Sequence, residues 1–151
     1  MIQRIQTFFL LLAAALIISM FHFPLAYFMT GTGEVHVLKI TGIFSWEGTR
    51  QMNTLPLLIL FGLSGGLLLT DIFLYKRRVV QMRVAVYVIL ILLGGTGLMA
   101  YYIWLVQKDL QADWALKAAF VFPVVAAVLT YLAFRNIRKD EALVRAYERI
   151  R

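Results

Sequence analysis

Few side chains in this sequence have the type and spacing to do chemistry, and each is weighed here by its neighbours. The stretch "GLSGG", Gly62 to Gly66, matches the G-x-S-x-G pattern that makes a serine nucleophilic on a sharp strand-to-helix turn. That chemistry needs a histidine and an acid beside Ser64. The stretch lies instead inside a long apolar run, and the one histidine within such a run is His22. The same residues spell Gly62-x-x-x-Gly66, a spacing that lets two helix backbones approach closely, and helix packing is the expected role. Asp71 is the one acidic residue inside an apolar run, which makes it a candidate ion relay by default. Its position just before Lys76, Arg77 and Arg78 favours a simpler reading, an interfacial carboxylate beside local cations. His22, His36 and Glu34 could share one face, but a metal centre needs three or four ligands with partners behind them. No metal, no cofactor and no catalytic residue is therefore expected. The absence of cysteine removes thiol and disulfide chemistry.

The elements that position these residues follow from composition. Of 151 residues, 62% are hydrophobic and 15% charged, against roughly 45–50% and about 25% in soluble domains. A soluble fold of this size leaves too much surface to hide that apolar excess, so the chain reads as a single membrane domain, 1–151. Apolar runs at 7–28, 55–75, 84–106 and 118–134 are separated by short polar stretches. Backbone polar groups in lipid must be satisfied within the segment, so the expectation is an all-α membrane protein with four transmembrane helices. The second run spans 21 residues, about 31 Å as a helix, which matches a hydrocarbon core of ~30 Å. The fourth run is short, and Ala115 and Leu116 can extend it if Lys117 snorkels outward. The first run is too long for a signal-peptide core, and "FPLAY" sets Pro24 where cleavage wants a small residue; it reads as a retained helix.

Charge sets the orientation. Arg4, Lys76, Arg77, Arg78, Arg83 and the six basic residues after 134 fall on one side, eleven in all, whereas Lys39, Arg50, Lys108 and Lys117 fall on the other. Both termini are expected in the cytoplasm. The external loop 29–54 contains "EVHVLKITGIFSW", whose partial alternation and β-branching predict a strand or short hairpin.

Two interruptions bear on transport. "GGTG", with Gly94, Gly95 and Gly97, sits at the centre of the third run, and each glycine weakens a helix by about 1 kcal/mol relative to alanine in water. Pro123 in the fourth run is expected to kink it. Broken helices line transport sites when they recur in paired halves; no internal repeat is visible here, so close packing is the favoured role of these residues.

The end of the chain, "RNIRKDEALVRAYERIR", carries nine charges in seventeen residues. On a helical wheel Ile137, Leu143, Val144, Tyr147 and Ile150 form one arc, with Arg135, Arg138, Lys139, Arg145 and Arg149 opposite. Residues 135–151 thus read as a basic amphipathic helix continuing the fourth span. Contact with the anionic inner leaflet and docking of a protein partner or a second copy are its two expected uses. Nucleic acid is not expected, because a basic face without a fold signature is weak evidence.

"MIQRIQT" at the start, "PLLIL" opening the second run and "RKDEALVRAYERIR" at the end carry a resemblance. With their order and spacing, the chain resembles an uncharacterised family of small four-helix integral membrane proteins of Bacteroidota. The resemblance implies a bacterial inner-membrane location and four helices, and it transfers no activity, cofactor or catalytic residue. The functional expectation is a non-enzymatic accessory or scaffold subunit of a membrane complex. The alternative is a small transporter or ion-handling protein using Asp71 and a Gly94–Gly97 helix break.

Overall fold

The computed structural model describes residues 2–148. Its elements run α1 (Ile2–Ser19), β1 (Ala26–Met29), β2 (Val35–Lys39), β3 (Gly42–Ser45), β4 (Arg50–Met52), α2 (Leu55–Phe73), α3 (Arg78–Leu110), β5 (Asp113–Leu116) and α4 (Phe122–Glu148). Single 3₁₀ turns at Leu74–Lys76 and Ala118–Val121 precede α3 and α4. Three of the helices, α2, α3 and α4, are long and apolar enough to cross a membrane. Helix contacts run α1 to α2, α2 to α3, α3 to α4 and α4 back to α1.

Each helix buries one stripe at helical spacing. The stripe on α2 is Leu57, Phe61, Ser64, Gly65, Leu68 and Asp71; on α3 it is Gln81, Ala85, Val88, Leu92, Gly95, Met99, Ile103 and Val106. Leu10, Ala13, Ala14 and Ile17 of α1 and Ala126, Ala127, Ala133 and Ile137 of α4 complete the interior. The small alanines on α1 and α4 let these two helices approach, the packing mode that works where apolar burial alone gives no preference between protein and lipid.

A five-stranded antiparallel sheet, in the order β4-β3-β2-β1-β5, makes the fold mostly helical rather than all-α. The first apolar run does not continue as a helix to Phe28, because α1 stops at Ser19 and Ala26–Met29 form β1. Hydropathy could not separate the two. Ala26 and Phe28 point inward and are as buried as the helix core, while Met29 is exposed. Ala115 and Leu116 likewise do not lengthen the fourth span; they lie in β5, opposite Tyr27 and Ala26. The stretch "VHVLKITGIFS" folds as the β2–β3 hairpin, with Val37 opposite Phe44 and Leu38 opposite Ile43. Leu25, Phe28, Leu38, Ile40 and Ile43 join the same buried cluster as the helix interior, so sheet and helices share one core. Thr54 ties the sheet to α2: its buried hydroxyl donates to the carbonyl of Ile40 at 2.7 Å.

Gly42 holds the outer strand pair together. A Cβ there would stand 2.9 Å from both the Met52 carbonyl oxygen and Arg50 Nε, and backbone has little room to yield. Gly42→Ala is expected to cost about 1–3 kcal/mol, the usual penalty for overpacking. Amide exchange in Ile43–Phe44 and Arg50–Met52 should quicken; unchanged exchange would show that β4 is not held by this contact.

The proline and glycine expectations also change. Pro123 is the second residue of α4, where a missing N–H costs nothing and the fixed φ suits helix entry, so it starts the helix instead of kinking it. Pro56 opens α2 in the same way. Gly94–Gly97 make no break: α3 is one continuous helix of 33 residues. Beside these glycines the Thr96 hydroxyl adds a bond to the Leu92 carbonyl at 2.7 Å.

Candidate functional site

The start of α1, the α2–α3 connection and the far end of α4 meet at one end of the helices, and the sheet lies at the other. Gln6 on α1 donates from Nε2 to Asp140 Oδ2 on α4 at 2.8 Å. Arg78, opening α3, reaches the Asp140 backbone carbonyl at 3.4 Å. Asp140 is therefore the joint between three helices at the charged end.

Beneath that joint lies Asp71, fully buried, with neither carboxylate oxygen hydrogen-bonded among the described residues. The expectation of an interfacial carboxylate beside local cations is corrected on this point. Asp71 stands near the end of its helix, but it follows Ser64 and Leu68 at seven and three residues on the inward stripe, so its side chain enters the interior between the helices. Its backbone carbonyl, one of those a helix end leaves without an intrahelical partner, accepts from the amide of Leu74 and from Gln81 Nε2 at 3.1 Å. The α2–α3 corner is thereby clamped, and the carboxyl group is left over. A buried polar group without a partner requires an explanation, in strain, chemistry or a bound water or ion.

Each inward stripe ends in a polar residue at this same end: Gln6 on α1, Asp71 on α2, Gln81 on α3 and Asp140 on α4. Sequence reasoning singled out Asp71 and missed the other three. The signal was present, because Gln6 precedes Leu10 and Ala13, and Gln81 precedes Ala85 and Val88, at core spacing.

The remaining candidates are placed plainly. Ser64 is buried and its hydroxyl donates to the Phe61 carbonyl of its own helix at 2.9 Å, while His22 is exposed in the turn after α1. Gly62, Gly66, Gly94 and Gly97 face outward, and a Cβ on any of them would meet nothing within 4 Å. Gly95 faces inward against Phe61. His36 is buried with neither ring nitrogen hydrogen-bonded among the described residues; Glu34 Oε2 lies 3.8 Å from its Nε2. Among the described residues no three potential metal ligands come together. On α4, Arg135, Arg138, Lys139, Leu143 and Val144 are exposed, whereas Ile137 belongs to the core. Arg145 and Tyr147 lie on the helix, but their side chains, like Arg149 and Ile150 altogether, are outside the described residues.

Residues 2–150 match a family described as Domain of unknown function (DUF4293). The chain belongs to that family. Among curated proteins none matches it. The match takes in both ends of this DUF4293 protein, and so the residues of the polar layer as well as the sheet. Between α3 and α4 the same end of the DUF4293 fold carries an open groove of about 590 Å³, lined by Val79, Met82, Val86, Tyr87, Phe134 and Ala142 with Arg83, Arg138 and Glu141. At the opposite end Trp46, 76% exposed, stands between two smaller grooves on the sheet.

Proposed function

We propose that this protein is a non-enzymatic integral membrane subunit, an accessory or scaffold of a bacterial inner-membrane complex, crossing the bilayer four times with both termini in the cytoplasm. In this reading α1, at 18 residues and about 27 Å, is the fourth crossing. It is short, yet it packs on α2 and α4. The excess of Lys and Arg at the charged end then faces the cytoplasm, and the sheet stands on the outer face. α3 at 33 residues and α4 at 27 exceed the hydrocarbon thickness, so both reach beyond it. The basic end of α4 engages anionic lipid or a cytoplasmic partner.

The observation that carries the scaffold reading is the sheet. Two connections that look like loops fold into one platform sharing the helix core, and it displays Trp46 at a tip outside the helices. An exposed tryptophan between grooves is the residue type that anchors protein interfaces. Affinity purification from native membranes in mild detergent tests this. Wild type is expected to bring a partner or a second copy, and Trp46→Ala is expected to reach the membrane but lose it. Recovery of the wild type only as a lone monomer contradicts the reading.

The buried Asp71 carboxyl favours a second reading, a small ion-handling protein, in which the polar layer passes a proton or cation toward the charged end. With α3 unbroken, this reading rests on Asp71 and the layer around it. Flux into liposomes that depends on the protein and disappears in Asp71→Asn supports it; equal flux, or none, in both removes it.

A further inference from the structure

We propose that the groove between α3 and α4 is a binding site for one anionic phospholipid, its phosphate held by Arg83 and Arg138 and an acyl chain laid along Val86, Tyr87 and Phe134. The proposal rests on the membrane orientation given above and adds to it a defined site and a lipid class. The groove's volume, about 590 Å³, falls within the ~300–1,000 Å³ of small-molecule sites. On the membrane side of Arg83 and Arg138 the wall is Val86, Tyr87 and Phe134, and on the other side it is Val79, Met82 and Ala142 with Glu141. Arg83 and Arg138 are both exposed, and among the described residues neither is in an ion pair.

A second groove, of about 420 Å³, adjoins the first through shared Val79 and Glu141, and it adds Arg77 and Arg78. Four guanidinium groups thus line the two adjoining grooves, with Glu141 as the carboxylate among the lining residues and the Asp140 carboxylate nearby held by Gln6. Arginine forks suit phosphate, which they contact with two parallel hydrogen bonds. A zwitterionic headgroup brings its own cation into this field and loses that advantage. Tyr87 and Phe134, at the same level, are the ring types found at headgroup depth. The charge of the lining selects an anionic lipid over a zwitterionic one.

The test uses the full chain in nanodiscs of phosphatidylcholine, with or without phosphatidylglycerol, read by native mass spectrometry after lipid stripping. Wild type should retain phosphatidylglycerol selectively. Arg83→Gln/Arg138→Gln should bind it about thirtyfold more weakly, from about 1 kcal/mol per near-surface cation and 1.4 kcal/mol per tenfold. Lys108→Gln, in the last turn of the same α3 and away from the groove, should leave retention unchanged. Equal retention by the double variant and wild type, or equal retention of the two lipids, overturns the site. Reversed sidedness of the chain in a labelling experiment would instead overturn the orientation, so the two failures are separable.

Discussion

Gly95→Leu is expected to be the most damaging single change in the helices. A Cβ at Gly95 would lie 2.9 Å from Phe61 Cζ and 3.0 Å from Cε1, and Phe61 is itself fully buried on the facing stripe of α2. The ring cannot swing into water, so α2 and α3 must separate or Phe61 must leave its rotamer. Overpacking of this kind costs about 1–3 kcal/mol. Gly94→Leu and Gly97→Leu provide the contrast. They face outward with nothing within 4 Å, and there the gain in helix propensity, up to about 1 kcal/mol, makes them neutral to stabilising. Three glycines within one helical turn therefore differ in sign. Phe61→Ala combined with Gly95→Leu should recover part of the loss, since a leucine can fill space the ring vacates. The double-mutant cycle should give a favourable coupling within the ~0.5–3 kcal/mol range of contacting residues. Thermal unfolding in detergent checks all of these, and additive effects of the pair would contradict the predicted contact.

Asp71→Val is expected to stabilise the protein. The wild-type carboxyl is fully buried, and neither oxygen has a hydrogen-bond partner among the described residues. An unsatisfied buried polar group costs about 1–3 kcal/mol on the mutational scale. Valine is the nearest apolar residue in size and removes that cost with little change in volume. Asp71→Asn keeps the shape but still carries polar atoms without partners, so its stability should stay near wild type. A clear loss of stability in Asp71→Val would have a specific meaning. The carboxyl would then hold a water, ion or other partner in the folded protein, and the ion-handling reading would gain at the scaffold's expense.

Much of the helical architecture was legible because lipid-compatible runs are long and their polar breaks short. The limits at 55 for α2 and the unbroken run of α4 past Phe134 followed from that pattern. The end of α1 did not. Leu25, Ala26 and Phe28 are apolar because the sheet packs on the helix ends, and hydropathy cannot tell a strand buried on a core from a helix in lipid. β5 was invisible for another reason: its four residues are all exposed, and it forms by pairing with β1, some ninety residues away in sequence. Asp71 shows the difference between depth and phase. The sequence places it near the end of its apolar run, but helical phase with Phe61, Ser64 and Leu68 decides which way the side chain points. The same phase on the other helices reveals Gln6, Gln81 and Asp140.

In the proposed orientation the protein spans the bilayer with its sheet outside and its charged end inside. A chain with no native cysteine allows single thiols to be read without background. Glu47→Cys, beside Trp46 at the tip of the sheet, and Ala142→Cys, on the exposed surface of α4, should be labelled oppositely by a membrane-impermeant maleimide. In spheroplasts the account predicts labelling at 47 and protection at 142 until the membrane is opened. Labelling at 142 with protection at 47, or labelling of both in sealed spheroplasts, would contradict it.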